Sequence, residues 1–79
     1  MASDRISLKS SMLEAASFDE AMSVLEIEFK NGARYEYYAV PRAVFQELIQ
    51  SESCGRFYNE KIKERFPFKK TEIKRRPKG

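Results

Sequence analysis

The sequence predicts an α+β domain: a small antiparallel sheet of about three strands, followed by two helices packed on one face. Three observations predict it. Residues 24–29 and 33–38 alternate in hydropathy on either side of an Asn-Gly turn, which marks a hairpin. Past Pro41 the apolar period lengthens, so that Val44, Phe45, Leu48 and Ile49 fall on one helical stripe. Tyr58, Ile62 and Phe66 then repeat at a spacing of four. A chain of 79 residues holds one such domain. At that size only about 60% of the unfolded surface is buried, so the core must be compact.

Ile6-x-Leu8 followed by Met12-Leu13 predicts a first short strand, with Ser10 and Ser11 on or beside it. Leu25, Ile27 and Phe29 alternate with Val24, Glu26 and Glu28, as in a half-buried strand. The hairpin register follows from the side chains. A two-residue loop would place Ile27 opposite Glu36 and Phe29 opposite Arg34. A three-residue loop, Lys30-Asn31-Gly32, instead pairs Phe29 with Ala33, Ile27 with Tyr35 and Leu25 with Tyr37, and keeps the apolar face whole. It also sets Glu28 beside Arg34 and puts Gly32 at the left-handed position of a G1 bulge. Its one cost is Glu26 opposite Glu36, roughly a few tenths of a kcal/mol for an exposed like-charge pair, which is much less than a misplaced apolar face.

Val40-Pro41 ends the strand, because proline cannot donate to a ladder but fits the first helical position. The first helix is predicted over 41–50. Ser51 to Ser53 interrupts it, and Ser53 caps a second helix reaching Phe66, where Pro67 follows. Gly55 lies on that helix's apolar side, where a missing side chain permits close approach. The domain is thus predicted over 1–67. Residues 68–79 form a basic extension without periodicity, flexible from Lys74 onward.

Composition narrows the chemistry. With no histidine and one cysteine, Cys54, the chain has no internal disulfide, no usual zinc ligand set and no His-based catalytic arrangement. No Gly-rich phosphate loop is present either. The expectation is a protein that is not an enzyme and carries no metal or cofactor. No apolar run approaches the ~20 residues that cross a bilayer, and the first ten residues lack the apolar stretch of a signal peptide, so a soluble, cytoplasmic protein without a membrane partner is expected. Charge is distributed unevenly. Residues 1–55 carry 5 basic against 9 acidic groups, a net −4, whereas residues 56–79 carry 10 basic against 3 acidic, a net +7. A cationic last third attracts polyanions, nucleic acid first.

The candidate contact residues fall in three groups. Tyr35 and Tyr37 belong to the buried face with their hydroxyls at its rim, while Tyr38 points the other way beside Arg34. There it serves either as a base-stacking platform or under a covering strand or dimer partner. On the second helix, Phe57 projects about 140° from Ile62, so it either packs in a distorted first turn or stands exposed one turn from Lys61. Arg56, Lys61, Lys63 and Arg65 flank the apolar stripe with Glu60 and Glu64 outermost, a pattern most often that of a solvated helix, which also suits phosphate contacts. In the extension, Lys69, Lys70, Lys74, Arg75 and Arg76 are positioned to reach phosphates. Cys54, at a helix start, reads as a tolerated surface or packing residue.

The order Tyr35-x-Tyr37, Val40-Pro41, Phe45, Leu48, Ser53-x-Gly55, Tyr58-Asn59 and Ile62-Lys63 resembles the KTSC domain, a short module found at the C-terminus of some lysyl-tRNA synthetases and alone in small bacterial proteins. Ser10-Ser11-x-Leu13, the Asp19 that follows an aromatic, and the hairpin through Asn31-Gly32 fit as well, so the resemblance spans roughly 10–67. It implies a non-catalytic accessory module with RNA binding as its suggested role, and adds weight to Lys63; Asn59 belongs to the same pattern, its amide suited equally to holding a loop backbone and to touching a ligand. The expected function is nucleic-acid binding, with RNA as partner. The alternative is a protein-interaction module, or a homodimer, docking through a sheet edge or exposed aromatics.

Overall fold

Ser10 organises the first reversal of the chain: its Oγ accepts hydrogen bonds from Met12 N at 3.0 Å and Leu13 N at 3.1 Å. That turn joins β1 (Asp4–Ser7) to β2 (Leu13–Asp19). The structure, a computed structural model, describes residues 4–71. β3 (Val24–Phe29), β4 (Arg34–Tyr37) and β5 (Phe68–Lys70) complete a five-stranded antiparallel sheet whose strands lie in sequence order.

The sequence-based count of about three strands is therefore too low. Ile6 and Leu13, read as one strand, belong to two. The cause is Ala15, Ala16 and Ser17, residues with little intrinsic strand preference. Bracketed by β1 and β3, they are buried in a central strand where pairing on both edges overrides that preference. β5 takes residues 68–70, which the sequence assigned to the basic extension. It is three residues long and exposed, so no alternation announces it. Its ladder places Phe68 opposite Tyr37 and Lys70 opposite Tyr35. Tyr38 N donating to Pro67 O at 2.9 Å, and Thr71 N to Arg34 O at 2.7 Å, extend it at both ends.

The β3–β4 hairpin has the three-residue loop register throughout: Leu25 faces Tyr37, Glu26 faces Glu36, Ile27 faces Tyr35 and Glu28 faces Arg34. Gly32 has φ +95°, and Phe29 N donates to Ala33 O at 2.8 Å across the loop. Asn31 Oδ1 accepts from Ala33 N at 2.9 Å and holds the turn from within.

α1 (Arg42–Gln50) follows Pro41 and buries Phe45 and Leu48, with Phe45 stacked on Phe18 of β2 at 5.4 Å between ring centroids. α2 (Cys54–Phe57) is capped by Ser53, whose Oγ accepts from Arg56 N at 3.4 Å. It does not run as an α-helix to Phe66. The chain widens at Tyr58–Ile62 into a π-helical turn, with Lys63 N donating to Tyr58 O at 2.8 Å. Cys54 is buried and donates its Sγ–H to Leu48 O at 3.3 Å, tying α2 to the end of α1. Gly55 brings α2 against the Ser10–Met12 turn, where an added Cβ would lie 3.4 Å from Ser10 Oγ. Leu13, Leu25, Ile27, Leu48 and Ile62 are fully buried between the helices and the sheet face that carries Tyr37.

Candidate nucleic-acid interface

The two faces of the sheet carry different chemistry. Strand alternation puts Arg5, Glu26, Glu28, Arg34, Glu36 and Lys69 on the face turned away from the helices. There Arg34 Nε lies 3.4 Å from Glu26 Oε2, and its Nη2 lies 3.7 Å from Glu28 Oε2. Arg5 Nη2 holds the other oxygen of Glu28 at 2.8 Å, and Lys69 stands opposite Glu36. Tyr38, half-buried at the edge of β4, donates its hydroxyl to Glu36 Oε1 at 2.9 Å, and that bond holds its pKa above the ordinary tyrosine value. Arg34 and Tyr38 do meet on one surface, as the sequence suggests, but three glutamates are interleaved with them. A phosphate approaching Arg34 must compete with two carboxylates.

The helix-facing side opens, beside β4 and β5, into a pocket of about 420 Å³. Five rings build it. Tyr35 packs edge-on to Phe29 at 5.5 Å and lies 6.2 Å from Tyr37, while Phe68 tilts against Tyr35 at 5.6 Å and against Tyr37 at 5.5 Å. Tyr58 closes the group from the π-helical turn, 5.4 Å from Phe29 and 6.0 Å from Tyr37. The Tyr37 and Tyr58 hydroxyls are hydrogen-bonded to each other in the interior. Burial raises the pKa of both, so both stay neutral well above physiological pH. Asn31, Asn59, Lys63, Glu64 and Lys70 supply polar lining, with two ammonium groups against one carboxylate. Lys70 Nζ sits 6.0 Å from the centroid of Tyr35.

The π-helical turn sets part of this arrangement. In an α-helix, Tyr58 and Lys63 are five residues apart and would diverge by about 140°. The hydrogen bond from Lys63 N to Tyr58 O closes a wider turn that keeps both residues beside the pocket. Tyr35, Tyr37, Tyr58, Asn59 and Lys63, five of the residues on which the family resemblance rests, therefore line a single concavity.

The remaining candidates lie elsewhere. Phe57 is half-buried and packs against the core, so it is not a free stacking ring. Arg56 is exposed and pairs with Glu60 at 3.1 Å one turn on. Lys61 is exposed on the outer side of the same segment. Lys74, Arg75 and Arg76 lie outside the described residues. Sequence reasoning missed Phe68, 52% exposed at the mouth of the pocket, because it was read as the start of the extension. The segment Phe68-Lys69-Lys70 carries no alternation that would have signalled a strand. Among the described residues, no group of three His, Cys, Asp or Glu side chains is placed to hold a metal ion, and no helix is long and apolar enough to cross a membrane.

Residues 9–66 match the family model of the KTSC domain. The chain belongs to the KTSC domain family. A protein of Tsukamurella paurometabola is 48% identical over 59 residues, which cover 75% of this chain and 88% of that protein. An uncharacterized protein of Stutzerimonas stutzeri is 42% identical over 59 residues, 75% and 83% of the two chains. A lysine–tRNA ligase of Nostoc punctiforme is 36% identical over 58 residues, 73% of this chain but 10% of the ligase. The crystal structure of a KTSC domain protein from Yersinia pestis superposes with a TM-score of 0.84 at 31% identity, covering 89% of this chain and 99% of that one. This KTSC fold is thus the five-stranded sheet with its two helices.

Proposed function

We propose that this KTSC domain is a non-catalytic accessory module that binds single-stranded RNA, with affinity dominated by phosphate contacts. One observation carries the reading: Lys63 and Lys70 stand at the rim of an aromatic pocket with a single carboxylate among its lining residues, whereas the cations of the opposite sheet face are interleaved with glutamates. Cations beside exposed rings are the usual composition of a surface that tracks an unpaired strand. The relatives point the same way, because a segment like this chain recurs within lysine–tRNA ligases, whose named substrate is an RNA. Lys74, Arg75 and Arg76 add charge at the level of sequence, while Arg56, paired with Glu60, and Lys61 lie away from the pocket.

Fluorescence anisotropy with a labelled single-stranded RNA, measured from low to physiological salt, tests the reading. Affinity should fall steeply with salt. Replacing Lys63 and Lys70 together by Ala should reduce the slope of log K against log salt by about 1.4, at about 0.7 per lost contact. Arg34→Ala should leave it unchanged. Absence of RNA binding at low salt, or tight binding indifferent to salt, would overturn the proposal and favour docking of a protein through the β1 or β5 edge.

A further inference from the structure

We infer that the aromatic pocket is a single-nucleotide site: it takes one unpaired base against Tyr35 and Phe68 and holds the adjoining phosphate with Lys63 and Lys70. The inference rests on the RNA-binding reading and goes further by naming where a base is read. The pocket volume of about 420 Å³ falls in the range of small-molecule sites, roughly 300–1,000 Å³. Its chemistry is divided as a nucleotide is divided. A wall of rings offers π-faces to a flat, electron-rich heterocycle, and the exposed amide of Asn59 can donate to and accept from a base edge. Both lysines are exposed at the mouth, where a phosphate remains in solvent. Two ammonium groups against the one carboxylate of Glu64 leave the lining with an excess positive charge that an anionic ligand matches and a neutral one does not.

Lys70 shows how the exchange works. Its ammonium stands over the ring of Tyr35, where a weak cation–π contact occupies the face that a base would use. The side chain is long and exposed, and β5 anchors only its backbone, opposite Tyr35. An entering base takes the ring face, and the ammonium moves to the phosphate of the same nucleotide. Stacking and charge neutralisation then replace one weak contact. Phe68, at 52% exposure, is an accessible ring on the adjoining strand, and its cost of exposure to water is relieved by the same event.

The test is an NMR titration of the intact, isotope-labelled chain with adenosine 5′-monophosphate, with ribose 5-phosphate as the control that keeps the phosphate and lacks the base. The amides of Tyr35, Asn59, Lys63, Phe68 and Lys70 should shift in a saturable way with the nucleotide and much less with the sugar phosphate. Phe68→Ala removes an exposed ring and should weaken the nucleotide on the order of tenfold, while leaving the salt slope for RNA unchanged. If RNA binds and these resonances stay fixed under both titrants, the pocket inference falls and the RNA reading stands. If neither RNA nor nucleotide binds, both fall. Shifts produced by raising the protein concentration alone would assign the pocket to a second copy of the chain and overturn the nucleotide site.

Discussion

Replacing Tyr58 by Phe removes one atom and tests a buried polar contact between the sheet and the second helical segment. Tyr37 is 1% exposed and Tyr58 5%, and their hydroxyls satisfy each other across the joint between β4 and the π-helical turn. In Tyr58→Phe the Tyr37 hydroxyl keeps its burial and loses its partner, which costs about 1–3 kcal/mol; Tyr37→Phe does the same to Tyr58. The double variant removes both hydroxyls and keeps the ring contacts, so it should cost less than the sum of the two by about 1 kcal/mol or more. A chain of this length has a total stability of roughly 4–12 kcal/mol, and each kcal/mol moves Tm by about 4–8 °C, so the single variants should be plainly separated from the parent. Urea denaturation of the parent, both single variants and the double variant completes the cycle. Single variants that melt with the parent, or a double variant as unstable as the sum, would refute the view that these hydroxyls are isolated from water and depend on each other.

Two further outcomes follow from the same structure. Gly32 has φ +95°, and a Cβ added there would meet nothing within 4 Å, so Gly32→Val should destabilise through backbone strain alone, by about 1–2 kcal/mol; a variant melting within a degree of the parent would remove the turn assignment. The pKa values of Tyr37 and Tyr58 are raised by burial, so the folded state keeps protons that the unfolded state releases near pH 10. Stability should be fully present below that pH and fall above it, by up to about 1.4 kcal/mol per pH unit for each tyrosine, and Tyr37→Phe should flatten the decline in denaturation series from pH 8 to 11.

The hairpin was legible because several local signals agree there. Turn chemistry at Asn31-Gly32, alternation on both strands and the charge match of Glu28 with Arg34 all specify one register, and that register is the one observed. The first helix was legible for the same reason, from Pro41 and the stripe through Leu48. β2 was not. Its central run of Ala15, Ala16 and Ser17 has neither strand preference nor helical period, and its position depends on β1 and β3 lying on either side. Such long-range pairing leaves no mark within a short window of sequence.

The site was partly legible, and what was missed has two geometric causes. An angular projection at about 100° per residue treats the second helix as a regular cylinder. On that cylinder Lys63 points away from Tyr58, and Phe57 is buried only if the first turn is distorted, the packed alternative that the structure bears out. The π-helical turn breaks the regularity after Phe57, and Phe57 packs while Lys63 stays with Tyr58 and Asn59. β5 adds the other wall, because pairing with β4 sets Phe68 and Lys70 beside Tyr37 and Tyr35. The residues that carry the family resemblance were visible one by one, as strand tyrosines and as a helical Asn and Lys. What joins them into one pocket is a wide turn and a three-residue edge strand, and each is too short and too dependent on its neighbours to be read from the sequence of that segment alone.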